Sequence, residues 1–245
     1  MRPPVPTYLP AVPNISDAIA FFVVFLFSTT LHEAAHAWAA MRGGDLTAYR
    51  GGQVSLDPIP HIRREPFGMV VLPLITVILT GWPLGFASAP YSVDWARRYP
   101  NRAALMALAG PAANLILVVL SAVALRVLAM SGIVSAPHSI TFGHIAAVEA
   151  GGWAWPGVVL LLGVTFSENL LLAIFNLLPF PPLDGSGAVP LLLSPSGTRR
   201  WQEFMWRNPG LQWIGLLIAW QLFAVIFTPL FFGAVGLLYP GVHYG

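Results

Sequence analysis

The chain predicts an all-α polytopic membrane protein, a bundle of about five to six transmembrane helices with a re-entrant or β-hairpin element after the first. Three observations carry that expectation. Hydrophobic residues make up 56% of the 245 and charged residues only 9%, with a mean hydropathy of +0.71, whereas a soluble domain carries about 25% charged residues. Apolar stretches stand at 17–41, 67–88, 103–130, 155–178 and 210–238, and all but the interrupted second read as simple bilayer crossings, which need ~20 residues each. The basic side chains, all arginine, gather between these stretches.

Residues 1–16 read as an extended tail, because Met1–Pro13 holds five prolines and no apolar core. That composition also argues against a cleaved signal peptide. Residues 17–240 then read as a single membrane-embedded domain, with no internal repeat. The stretch 67–88 is no simple span: Pro73, Gly81, Pro83, Gly85 and, just beyond, Pro90 break it, so a short helix should give way to extended chain.

Arginine placement sets the orientation. Arg42, Arg50, Arg63 and Arg64 form one cluster, Arg97, Arg98 and Arg102 a second, and Arg199, Arg200 and Arg207 a third; residues 131–154 hold none. With all three clusters on the cytoplasmic side, 17–41 runs inward and 67–91 enters and leaves on one face. Helix 103–130 then runs outward and 155–178 returns. The last stretch goes outward once, bent at Pro229, or turns back as a hairpin. Arginines spread between apolar runs make no nucleic-acid surface, so the bilayer is the expected partner.

His32-Glu33-Ala34-Ala35-His36 lies inside the first span. Residues four apart share a helix face, so two imidazoles there can bind one cation. The glutamate between them sits beside the metal, placed to take a proton from water. Three ionisable groups in an apolar helix are costly and need a functional reason. The chain has no cysteine, which leaves His, Asp and Glu as strong zinc ligands.

A catalytic zinc needs a third protein ligand and an open position. His138, His144 and Glu149 fall in the predicted outer loop, on the wrong side. His61 suits a structural or surface role better. His32 lies roughly 14 Å from the cytoplasmic end of its helix, at ~1.5 Å per residue, and Asp184 follows the cytoplasmic end of 155–178, so these groups reach the same side. Another class of membrane zinc enzyme, with Glu168 of the fourth stretch or Glu149 as the third ligand, stays open as an alternative. A non-proteolytic multi-span metal-binding protein or transporter is the rival reading, although transporters usually show paired halves and none is visible.

The sequence Asn176-Leu177-Leu178-Pro179-Phe180-Pro181-Pro182-Leu183-Asp184-Gly185, about 150 residues after the histidine motif, resembles the site-2 protease family of intramembrane zinc metallopeptidases. Further matches are Gly44-Asp45-Leu46-Thr47-Ala48, Leu56-Asp57-Pro58 with His61, and Ala109-Gly110-Pro111-Ala112-Ala113-Asn114-Leu115. The resemblance spans about 30–185. It implies one zinc ion on His32, His36 and Asp184, with Glu33 as general base and Asn176 donating to the oxyanion. It also implies a catalytic core over about 17–190 and peptide-bond hydrolysis in transmembrane protein substrates, with the site toward the cytoplasmic side of a bacterial or archaeal membrane.

The family's membrane-inserted β element corresponds to Trp82–Tyr91, an expected edge for an unwound substrate. Asn114 is expected to hydrogen-bond between helices, and Asn169 and Glu168 to point into the bundle. The chain lacks the PDZ and CBS domains of larger members, which places it with the small branch. It also reads Asp184-Gly185-Ser186-Gly187-Ala188 where D-G-G-R is common, which puts any substrate contact by that arginine in doubt.

Overall fold

The computed structural model describes residues 14–242 and 244, so the proline-rich stretch Met1–Pro13 lies outside the described residues. Helix α1, Ile15–Arg42, starts where the Asn14 side chain accepts the Asp17 N–H at 2.9 Å. This satisfies one of the donors that a helix start leaves free. Short helices α2 (Thr47–Arg50) and α3 (Pro58–Arg64) follow, α3 capped by Asp57. Asp45 secures this region. Its carboxylate accepts from the Thr47 N–H and hydroxyl and, at 2.7 Å, from the Ser92 N–H far along the chain.

A π-helical turn, Phe67–Val71, runs into α4, Leu72–Thr80, which stops at Gly81 with φ of +89°. The 67–88 stretch is therefore a short helix followed by extended chain, as its prolines and glycines predict. No β-hairpin forms here among the described residues. The extended chain has the strand's alternation without a second strand to pair with. Helix α5 (Val93–Arg98) leads into α6, Pro100–Met130, with Pro111 inside it.

A two-residue pair, β1 (Val134–Ser135) with β2 (Ala147–Val148), ties the 131–154 loop together. Helix α7 spans Trp155–Asn176, and α8 (Asp184–Ala188) passes through a 3₁₀ turn, Val189–Leu192, to α9 (Pro195–Arg207). Helix α10, Leu211–Leu238, is continuous through Pro229, so this stretch is one helix and not a hairpin.

Four helices, α1, α6, α7 and α10, are long and apolar enough to cross a membrane, and Phe67–Thr80 is a shorter apolar helix. This is an all-α polytopic membrane fold in which the four uninterrupted apolar stretches form the long helices and the interrupted second forms the shorter one. Helix α6 packs against both α1 and α7. Asp17, at the start of α1, meets His144 of the 131–154 loop at 3.0 Å, and Arg126, late in α6, donates to the Leu238 carbonyl at the end of α10. At the opposite end, Trp95 and Arg102 both donate to the Gly43 carbonyl at 3.0 Å. The bundle thus has an end that gathers the arginines of the α1–α3 and α5–α6 segments and an end that carries the 131–154 loop. Rows of exposed apolar side chains on α6 and α10, such as Leu105, Ile116, Val119, Leu120, Leu217 and Val225, suit a lipid surround.

Candidate metal centre

His32 and His36 stand one helical turn apart on α1 and both are buried. Their Nε2 atoms approach to 2.9 Å, and Asp184 Oδ2 lies 3.1 Å from the first and 3.3 Å from the second. Donor atoms of the three residues all lie within 4.8 Å of one another, a grouping that can hold a metal ion.

The hydrogen bonds behind the imidazoles fix which nitrogen is free. A carbonyl only accepts, so the Thr165 carbonyl, 2.8 Å from Asn169 Nδ2, orients that amide. Asn169 Nδ2 also donates to Ser28 Oγ at 2.9 Å, so Asn169 Oδ1 is left to accept from Asn114 Nδ2 at 2.8 Å. Asn114 Oδ1 therefore faces His32 Nδ1, at 2.5 Å, and the proton of His32 sits on Nδ1. His36 Nδ1 donates in the same way to the Met106 carbonyl at 2.7 Å.

Both Nε2 lone pairs thus converge with a carboxylate oxygen on one point. In a tetrahedral site with ~2.0–2.1 Å arms, ligand atoms stand about 3.3 Å apart. The observed separations fit that donor set. Burial opposes charge on Asp184, but His36 and His32 outweigh it and hold the carboxyl below the usual carboxylate range. Ionised oxygen is the form that ligates. Asn114→Ala would leave His32 Nδ1 without its acceptor, and chelator competition should show a 10- to 100-fold loss of zinc affinity, the usual cost of removing such a partner.

Two further features fit a cation with space for water. Gly110 of α6 has no Cβ, and a Cβ built there would fall on Nε2 of both histidines. Glu33 is buried with its Oε2 lacking any partner, an arrangement that calls for a ligand or water. Glu33, His36 and Asp184 open onto a cavity of about 330 Å³. Its other walls carry Ala87 and Ala89 from the extended chain, and Trp201 and Trp206 from α9.

The remaining candidates are not among the three converging ligands. Asn176, the last residue of α7, is half-buried and donates to the Leu172 carbonyl at 3.0 Å. Glu168 is buried with neither carboxyl oxygen partnered and is outside the histidine–aspartate group. His61 is buried with Nε2 on the Ser55 carbonyl. His144 pairs with Asp17 at the far end, and Glu149 accepts from Ser135. The α9 contribution to the cavity was not foreseen from the sequence, where its signal is Trp201, Met205 and Trp206 in a short run rich in polar residues.

The comparisons agree with this chemistry. YwhC of Bacillus subtilis (strain 168), which bears the name "Putative zinc metalloprotease", is 33% identical over 177 residues, covering 71% of this chain and 68% of its own length. Rip2 of Mycolicibacterium smegmatis, under the same description, is 29% identical over 211 residues, 86% of this chain and 69% of its own. Rip2 of Mycobacterium tuberculosis is 34% identical over 175 residues, 71% of this chain and 58% of its own. No solved structure matches. The model of Peptidase family M50 matches residues 20–207. On that match the chain belongs to peptidase family M50, the site-2 protease family, and is a zinc metallopeptidase.

Proposed function

We propose that the protein is an intramembrane endopeptidase that cuts peptide bonds in or near the transmembrane segments of other membrane proteins, in regulated intramembrane proteolysis. The observation that carries this reading is the unpartnered Glu33 oxygen beside three converging ligand atoms, at the mouth of a cleft. His32, His36 and Asp184 would hold one zinc ion, which would supply Lewis-acid polarisation of the attacking water and the scissile carbonyl. Glu33 Oε2 accepts the proton as the water oxygen bonds to the carbonyl carbon. It returns that proton to the nitrogen as the C–N bond breaks. Asn176 exchanges its Leu172 partner for the developing oxyanion. The arginine clusters at this end of the bundle support a cytoplasmic placement.

A transmembrane helix hides its peptide bonds, so the substrate must unwind and pair its backbone anew. Leu84 and Phe86 donate their N–H groups to Thr76 and Gly68, and the Ser88 carbonyl accepts from Gln53 and Arg64. Successive residues of extended chain point their polar groups to opposite sides. Ala87 and Ala89, in the opposite phase, have no backbone partner among the described residues, and both line the cleft. This supports an edge open to one substrate strand. Ala87→Pro removes one donor from that edge, worth about 0.5–1.5 kcal/mol. It should lower turnover several-fold at unchanged zinc content; unaltered turnover would remove the edge from the mechanism.

The test of the whole reading is cleavage of a tagged single-span protein by the purified enzyme in detergent. Cleavage that a chelator stops and zinc restores is the expected result. A metal-binding protein without peptidase activity would leave the substrate intact throughout.

A further inference from the structure

The geometry points to Trp201 as a positioning residue for the metal centre, an inference that rests on Asp184 being a ligand. Each histidine is braced from behind, His32 by Asn114 and His36 by the Met106 carbonyl. Asp184 has no such brace. Among the described residues its carboxylate meets only the two histidines. Its place in the site is therefore set by the main chain of α8.

That helix is short, and Leu183 at its start offers no side-chain cap. Further along, the Ser186 carbonyl faces a missing donor. The residue four positions on is Pro190, which has no N–H to give. Trp201 of α9 supplies one: its indole Nε1–H donates to the Ser186 carbonyl at 3.1 Å, two residues from Asp184. Apart from the two histidines, no other side chain from outside α8 hydrogen-bonds to it among the described residues. The donor is itself anchored. Gln202 Nε2 donates to the Ala96 carbonyl at 3.2 Å, and the Arg97 guanidinium lies 4.8 Å over the Trp206 ring. Trp201 thus carries the docking of α9 on α5 through to the turn that presents Asp184.

The experiment is a set of zinc dissociation constants, measured by chelator competition on the purified full-length protein in detergent. Trp201→Phe keeps the aromatic body and loses the donor, and should weaken zinc binding about tenfold, the lower end for partners behind a ligand. Gln202→Ala removes one anchor of the same helix but leaves the indole donor in place, so it should weaken zinc binding less than Trp201→Phe. Adding Pro190→Ala to Trp201→Phe returns a backbone N–H to the Ser186 carbonyl and should restore binding. The proposal is overturned if Trp201→Phe binds zinc like the parent protein, if Gln202→Ala loses as much, or if the double variant stays as weak as the single one. Asp184→Ala, measured alongside, separates the two levels. Zinc retained there sinks the ligand assignment itself; zinc lost there with Trp201→Phe unaffected sinks only the role of Trp201.

Discussion

Glu33→Gln is expected to lower cleavage of a membrane substrate by about 10²–10⁴-fold, the range for losing a positioned general base. Zinc content should stay near that of the parent protein. The amide keeps the shape and burial of the side chain but cannot take up the proton of the attacking water. Because Glu33 makes no hydrogen bond through Oε2, the exchange breaks no existing contact of that atom, so stability should change little. Single-turnover cleavage beside elemental analysis of the same preparation checks both halves. Full retained activity, or zinc lost with the activity, would remove Glu33 from its role as base. The same variant, placed in membranes, should trap uncleaved substrate that mass spectrometry can identify.

Gly110→Ala should abolish zinc binding with a change of one methyl group. The new carbon falls on Nε2 of both His32 and His36, and those nitrogens cannot swing away freely because Asn114 and the Met106 carbonyl hold the rings from behind. Either α6 moves off α1 or the imidazoles leave their places. Overpacking of this kind costs about 1–3 kcal/mol, and zinc affinity should fall by more than about 100-fold, since all three ligands lose their common point. Gly157→Ala is the matched control: a Cβ there meets nothing within 4 Å, and alanine suits a helix better by roughly 0.5–1 kcal/mol. Zinc content and thermal unfolding of the two variants decide the matter. A Gly110→Ala protein with full zinc would show that the helices can separate without disturbing the site.

Much of this was legible before any coordinates. The motif in the first span put two imidazoles on one face by helical period alone, and the arginine clusters placed Asp184 at the same end of the bundle. The interruptions of 67–88 were readable as a short helix and extended chain, because glycine and proline act on local backbone geometry. The course of 210–238 was not, since an apolar run looks the same whether it passes straight through a proline or folds back; the structure makes it one continuous helix, α10.

Local spacing and composition by themselves determined the membrane class, the helix that carries His32, Glu33 and His36, and the resemblance that singled out Asp184. Tertiary structure alone decided the rest. It set the proton positions of His32 through Asn114, Asn169 and Ser28 on three helices, made Gly110 the gap into which the imidazoles fit, and put the Trp201 indole on the carbonyl that Pro190 leaves unserved. Those contacts join residues up to 141 positions apart, and no local rule of helix period or turn chemistry ranges that far. They exist only once α1, α6, α7 and α9 have packed.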